Sequence, residues 1–352
     1  MPSRDDNQTG FAPARMAFLF FVFFLIACGL GYPILNRFDP RETPGLSDVR
    51  TYAAIAKGSD TFDAGDMRYR RFRVLVPWLA RPFYLIARGR VASWDPVMFG
   101  LLVADSLFVA GTAVFIFVIG KRKLRSSSVG LLGALLYLVD FAVPNLRLSG
   151  LVDAGEGFFL LALLWSLSEG ELWILPPIAV LGALTKESFI PFNIVFTSAW
   201  WLSNNTDHNF QHNDRAPGAR SPFPSDVAWI LASWVLGVAA VIGVQWWIIG
   251  RFVSPLQLGA AARRGDGYHF SVALHDRNLW YVFLWLLPTA IPNLKRFPKS
   301  WIISIGATCA TALLLDAYFG GGSGSAWDRA LFSIAGPVLS LSSAMLLLRV
   351  SG

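Results

Sequence analysis

Cysteine, histidine and charge are all scarce in this chain, and each shortage removes a class of protein. Only two cysteines occur in 352 residues, Cys28 and Cys309, both inside apolar runs. Neither belongs to a CxxC or Cys/His spacing, so the chain has no disulfide framework and no zinc-site pattern, and both thiols read as small buried hydrophobes. Of the four histidines, His208 and His212 would share a helix face at i, i+4. They fall in a Pro/Asn/Asp-rich segment that reads as non-helical, so no metal site is assigned. Charged residues make up 15% of the chain, against roughly 25% in soluble domains, which excludes an ordinary water-soluble globular fold. Internal repeats and low-complexity tracts are also lacking.

What the chain has instead is apolar length. Hydrophobic residues account for 54% and gather into runs able to cross a hydrocarbon core of about 30 Å. Ten spans are expected, at about 16–35, 97–120, 129–144, 150–168, 172–185, 188–202, 227–250, 279–292, 300–319 and 329–349. The expected fold is all-α, a polytopic membrane protein forming one integral membrane domain over 1–352. Met16–Leu35 exceeds a signal-peptide core and no small-x-small cleavage site follows, so it reads as a retained span with Met1–Arg15 outside the bilayer. The segments at 172–185 and 279–292 are short, which fits tilted, broken or re-entrant helices. The formal charge of +7 needs no nucleic acid partner, because positive-inside topology and anionic lipid or phosphate ligands account for it.

Lys121-Arg-Lys-Leu-Arg125 and Lys295-Arg-Phe-Pro-Lys299 are compact basic loops, the usual cytoplasmic mark. With the N-terminus inside, ten spans place both in the cytoplasm, together with the polar segment 203–225, which reads as a flexible loop. The loop 36–96, the turn 145–149, the hinge Thr185-Lys-Glu-Ser188, the loop 251–278 and the Gly-rich turn 320–328 then fall on the outer side. Four of these five carry arginine or lysine against the usual bias, and an anionic ligand is the simplest reason. Within the first outer loop, Val74–Ile86 is apolar but interrupted by Pro77, Arg81 and Pro82. It reads as an amphipathic interfacial helix with Trp78 and Tyr84 at headgroup depth.

That first loop also holds the densest chemistry. Asp48-Val-Arg-Thr-Tyr52 is followed by Arg68-Tyr-Arg-Arg-Phe-Arg73. A carboxylate can take a proton from an attacking hydroxyl, and a group of guanidiniums can hold a leaving phosphate bidentately. Asp48 is accordingly the candidate base and Arg68, Arg70, Arg71 and Arg73 the candidate cradle, with Tyr52 beside them. The alternative for Asp48 is a helix cap with Ser47, and the two roles are compatible. Lys186 and Glu187 interrupt two apolar runs, where charge is expensive unless paired or wetted. They are assigned to phosphate contact and to orienting sugar or acceptor, against a mutual surface pair in a hairpin. Asp153 and Glu156 open the fourth span, where the helix dipole favours an acid, and Arg147 is placed to pair with Asp153. Gly320-Gly-Gly-Ser-Gly-Ser325 precedes Trp327-Asp-Arg329, which allows close backbone approach to a ligand and puts Arg329 at the start of the last span. Arg263 and Arg264 are read as a solvated pair, against the alternative of a gate for substrate entry.

Taken in order, Ser47-Asp-Val-Arg-Thr-Tyr52, Arg73-Val-Leu-Val-Pro-Trp-Leu79, Leu151-Val-Asp153-Ala, Ala183-Leu-Thr-Lys-Glu187-Ser and Asp328-Arg329 resemble features of the small bacterial GT-C membrane glycosyltransferases. The resemblance covers the N-terminal two-thirds best. It implies a polyprenyl-phosphate sugar donor, transfer at the outer face of the bacterial cytoplasmic membrane, and Asp48 as catalytic carboxylate. Glu187 joins it in the catalytic set, with Tyr52, Arg71, Arg73, Asp153, Lys186 and Arg329 binding substrate. One acidic residue stands where some members have a pair, and the large soluble C-terminal domain of longer members is lacking, so the acceptor stays open. The arginine-rich loop favours a metal-independent arrangement with no cofactor. Two other classes compete. A lipid-linked-sugar flippase or transporter should show paired repeats and charges near the midplane. A non-catalytic subunit of a polysaccharide assembly complex would not need Asp48.

Overall fold

The computed structural model describes residues 13–33, 35, 48–59, 68–90, 94–211, 224–253, 277–319 and 327–350. Among these, every regular element is helical: α1 (Pro13–Gly31), α2 (Asp48–Lys57), α3 (Leu75–Ala87), α4 (Pro96–Lys123), α5 (Ser127–Val139), α6 (Asp153–Glu169), α7 (Leu175–Thr185), α8 (Phe189–Gln211), α9 (Pro224–Ile249), α10 (Arg277–Phe283), α11 (Leu286–Leu294), α12 (Lys299–Phe319) and α13 (Trp327–Val350). Short 3-10 turns cover Arg68–Phe72 and Leu172–Ile174, and a π-helical turn covers Val143–Arg147.

Four of these helices, α1, α4, α9 and α13, are long and apolar enough to cross a membrane. Their surroundings differ. In the most apolar stretch of α4, 78% of residues are buried, against 17% in α1 and in α9. Helix α4 is therefore the central strut, and α1 and α9 present apolar side chains outward. The strut has explicit ends. Asp95 accepts the N–H of Val97 at 2.9 Å, Pro96 occupies the first turn, and Lys121, Arg122 and Lys123 close the last turn. An acid-capped start and a basic finish both suit the helix dipole. Helices α4 and α5 touch backbone to backbone, since a Cβ on Gly120 would meet Gly130 Cα at 2.4 Å.

Polar side chains join the helices elsewhere, as expected where apolar packing alone supplies little selectivity. Ser342 donates to the Ala290 carbonyl at 2.6 Å and Thr289 bonds Ser343 at 2.8 Å, tying α11 to α13. Trp234 Nε1 donates to Thr197 at 2.9 Å between α9 and α8.

Several expected boundaries move. The span foreseen at 129–144 stops at Val139, because Asp140 turns back to accept the Ala142 N–H at 2.9 Å and Pro144 follows without an N–H. The turn foreseen at 145–149 is partly the π-helical turn. The segment 279–292 is broken into α10 and α11 at Leu284–Trp285. Pro288 lacks the N–H that would have reached Leu284, which accounts for the break. Helix α8 continues to Gln211 through residues expected in a flexible loop, and it includes His208; His212, His269 and His275 lie outside the described residues. A helix, α3, forms where the interfacial segment is expected, with Trp78 outward, but Tyr84 is buried against α4 rather than at a surface.

Candidate functional site

Asp48 is the first residue of α2, and Tyr52 lies one turn later on the same face. The 3-10 turn Arg68–Phe72 and the two residues after it lay Arg70 and Arg73 against that face. Arg70 Nη2 meets Asp48 Oδ1 at 2.7 Å, and Arg73 Nη1 lies 3.9 Å from Asp48 Oδ2. Arg73 Nη1 also donates to the Tyr52 hydroxyl at 2.9 Å. On its other edge the Arg73 guanidinium grips Glu187, from Nε to Oε2 at 2.8 Å and from Nη2 to Oε1 at 2.5 Å.

Glu187 is available because the apolar run 172–202 does break where the charges interrupt it. Helix α7 ends at Thr185 and α8 begins at Phe189, with Lys186 extended between them. Lys186 points the other way from Glu187, donating to Asp153 Oδ1 at 2.8 Å and Glu156 Oε2 at 3.2 Å. Asp153 and Glu156 share one face at the start of α6. Ser188 donates to Glu156, and Arg329, in the first turn of α13, lies 3.6 Å from Asp153 Oδ2. The alternative of a mutual Lys186–Glu187 surface pair is thus not what forms: each residue bonds a distant partner.

Arg147 completes the arrangement and was undervalued by sequence. The residue is 1% exposed, and its guanidinium donates to the backbone carbonyl of Asp153, to that of Arg329 at 2.8 Å and to Ser333 Oγ at 2.6 Å. It stands 5.5 Å from the Phe332 ring centre, within cation–π range. The π-helical turn that carries it had no signal in the sequence. Glu156 and Ser188 were also outside the expected site, although the i, i+3 spacing of Asp153 and Glu156 hinted at the first.

Four carboxylates (Asp48, Asp153, Glu156, Glu187) therefore meet four cations (Arg70, Arg73, Lys186, Arg329) in two adjoining clusters, and Arg147 braces the second through backbone carbonyls. Burial alone would discharge these groups, but pairing reverses it. Burial opposes the charge of Glu187, yet the Arg73 guanidinium holds its carboxyl below the usual range. Burial likewise works against Lys186, and Asp153 and Glu156 outweigh it, raising the ammonium. Burial pushes the Tyr52 phenol up, so it stays neutral beside Arg73. Asp48 keeps a side chain 18% exposed, so a hydroxyl can reach it. Arg71 belongs to the same 3-10 turn. The side chains of Arg68 and Asp328, the Gly-rich turn 320–325, and Arg263 and Arg264 lie outside the described residues. So do residues 36–47, 60–67 and 91–93 of the first expected outer loop. Among the described residues, no three of His, Cys, Asp and Glu gather in a way that could hold a metal ion.

The network occupies one end of the bundle. At the far end of α6, Glu169 faces Arg122 at 3.8 Å and Lys123 at 3.4 Å. At the far end of α13, Arg349 reaches Asn293, two residues before Lys295. Helices α6 and α13 both start at the ion network, so the two basic loops lie some 25–30 Å from it by helix rise.

No protein family, curated protein or solved structure matches this chain.

Proposed function

We propose that this chain is a membrane glycosyltransferase that moves a sugar from a polyprenyl-phosphate donor to an acceptor at the outer face of a bacterial cytoplasmic membrane. One observation carries the reading. Asp48, a reachable carboxylate, sits against Arg70 and Arg73, and Glu187, the partner of Arg73, is the chain neighbour of Lys186, whose own cluster holds Asp153 and Arg329; residues from widely separated segments are gathered at one end of apolar helices.

In this mechanism the Asp48 carboxylate accepts the acceptor's proton as its oxygen bonds the anomeric carbon. The bond from that carbon to the phosphate oxygen breaks, and the electron pair leaves on polyprenyl phosphate. Arg71, Arg73, Lys186 and Arg329 hold the negative charge. Tyr52, neutral, positions Arg73, and Glu187 and Asp153 orient the cations and the sugar. The reading includes ten spans: α1, α4, α5, α6, α7, α8, α9, the α10–α11 pair, α12 and α13. Support comes from the two basic loops sharing the end opposite the network, as positive-inside topology requires. The bilayer is then the protein's lasting partner, with the donor as substrate.

A second reading, a non-catalytic subunit, is favoured by one observation: the carboxylates of the network are already matched with cations, as a purely structural cluster would be. The experiment that separates the two is Asp48→Asn in purified protein, with a polyprenyl-phosphate sugar donor and counting of transferred or released sugar. A folded variant without transfer supports the transferase. Activity within about threefold of wild type removes Asp48 as the base, since general base catalysis contributes roughly 10²–10⁴-fold.

A further inference from the structure

At the end of the bundle opposite the ion network lies a groove with a volume of about 570 Å³. Its walls include Phe18 and Leu19 of α1, Phe117 of α4 and Leu131 of α5, and its rim includes Arg15 and Ser127. Phe18 and Leu131 are exposed, so the groove opens sideways from the bundle. In a membrane-embedded chain that direction faces lipid tails.

The rim is positively charged. Arg122 and Lys123 are held by Glu169 at 3.8 and 3.4 Å. Arg15 lies on the groove itself, and Arg125 lies two residues before Ser127; neither takes part in an ion pair formed among the described residues. Arg125 has φ +54° and is the one non-glycine residue with positive φ among those described. Glycine is the ordinary occupant of that conformation, yet the chain puts an arginine there. Ser126 Oγ takes the Val129 N–H at 3.2 Å, and the first N–H groups of α5, at Ser127 and Ser128, have no intrahelical acceptor. An open apolar groove with Arg15 on its wall, Arg125 two residues from its rim and helix N–H groups beside them matches one kind of molecule, a long apolar chain ending in an anion.

We propose that this groove binds an anionic phospholipid, with an acyl chain along Phe18, Leu19, Phe117 and Leu131 and its phosphate at Arg15, Arg125 and the start of α5. The proposal rests on the membrane reading but not on the transferase reading, because the ion network is at the other end. Helices α1, α4 and α5 would be clamped by the bound lipid.

The test uses the full chain purified in dodecylmaltoside, with phosphatidylglycerol or phosphatidylcholine added, followed by native mass spectrometry and thermal unfolding. Wild type should retain phosphatidylglycerol in preference to phosphatidylcholine and unfold at a higher temperature with it. Arg15→Gln with Arg125→Gln should weaken that preference about tenfold or more, since each cation near an anionic lipid contributes about a factor of five. Leu131→Trp, which fills the channel without touching charge, should abolish retention. Equal retention of the two lipids by wild type would overturn the proposal, as would unchanged phosphatidylglycerol retention in both the charge and the channel variants. The lipid preference is measured on wild type alone, so a variant that fails to fold leaves that outcome decisive. Asp48→Asn should bind phosphatidylglycerol like wild type, which separates failure here from failure of the transferase reading.

Discussion

Arg73 and Glu187, 114 residues apart in sequence, form a two-pronged pair in which Nε and Nη2 of the guanidinium each reach one carboxylate oxygen. This is the geometry with which arginine also grips phosphate. A donor phosphate would therefore compete with Glu187 for the same fork, or share Arg73 through the Nη1 edge that now faces Tyr52. Glu187 keeps 35% of its side-chain surface open, so it has room to move aside.

Arg73→Ala and Lys186→Ala should each weaken sugar transfer roughly ten- to hundredfold, the worth of a charge-assisted contact of about 1.5–3 kcal/mol. Arg122→Ala, at the opposite end of the bundle and 60% exposed, should leave transfer within about twofold. Steady-state transfer rates at saturating and limiting donor check this. Unchanged rates in both Arg73 and Lys186 variants would mean the cations serve only the fold.

The pairing also sets a pH dependence. The carboxyl of Glu187 is held below its ordinary 4.5, so its contribution to stability is fully present above that value and fades as pH falls through the lower folded one. Lys186 is raised above its ordinary 10.5, so its contribution is present below that value and fades as pH rises past the folded one. The melting-temperature difference between wild type and Glu187→Gln should be constant from about pH 6 to 8 and shrink below about pH 4. A difference that grows as pH falls would contradict the pairing.

Arg147 is predicted to hold the two helix starts together. Arg147→Met would strip bonds from the Asp153 and Arg329 carbonyls and from Ser333, a loss of about 3 kcal/mol or more of stability. Arg147→Lys should restore part of the stability but less of the transfer, because an ammonium cannot span three acceptors with the same fork. Detergent-solution unfolding alongside transfer rates reads both. Equal recovery of stability and transfer in the lysine variant would mean Arg147 does not position the site.

Topology is testable separately. In a chain lacking Cys28 and Cys309, a cysteine at Ser59, at the end of α2, should react with an impermeant thiol reagent from outside the cell. One at Ser127, beside the basic loop, should react only after permeabilisation. Reaction of both from the same side would break the ten-span model and the shared outer face with it.

Apolar run length and charge interruptions were enough to place most helices, because hydrophobic burial and backbone satisfaction act locally along the chain. The breaks at Thr185–Phe189, the start of α6 at Asp153 and the helix over Leu75–Ala87 were legible for that reason. Where a side-chain cap and a proline decided the matter, as at Asp140–Pro144, local composition still read as one apolar run and the boundary was missed, whereas the shortness of 279–292 already pointed to a broken helix. The membership of the candidate site was half legible. Counting spans put Asp48, Arg73, Asp153, Lys186 and Arg329 on one side, since helices crossing a common slab must alternate. Their pairings were not legible: Arg73 with Glu187, Lys186 with Asp153 and Glu156, and Arg147 with the backbone carbonyls of Asp153 and Arg329. Those depend on which helix ends pack side by side. Charges buried there hold only with partners a few ångströms away, and only the tertiary structure supplies that distance.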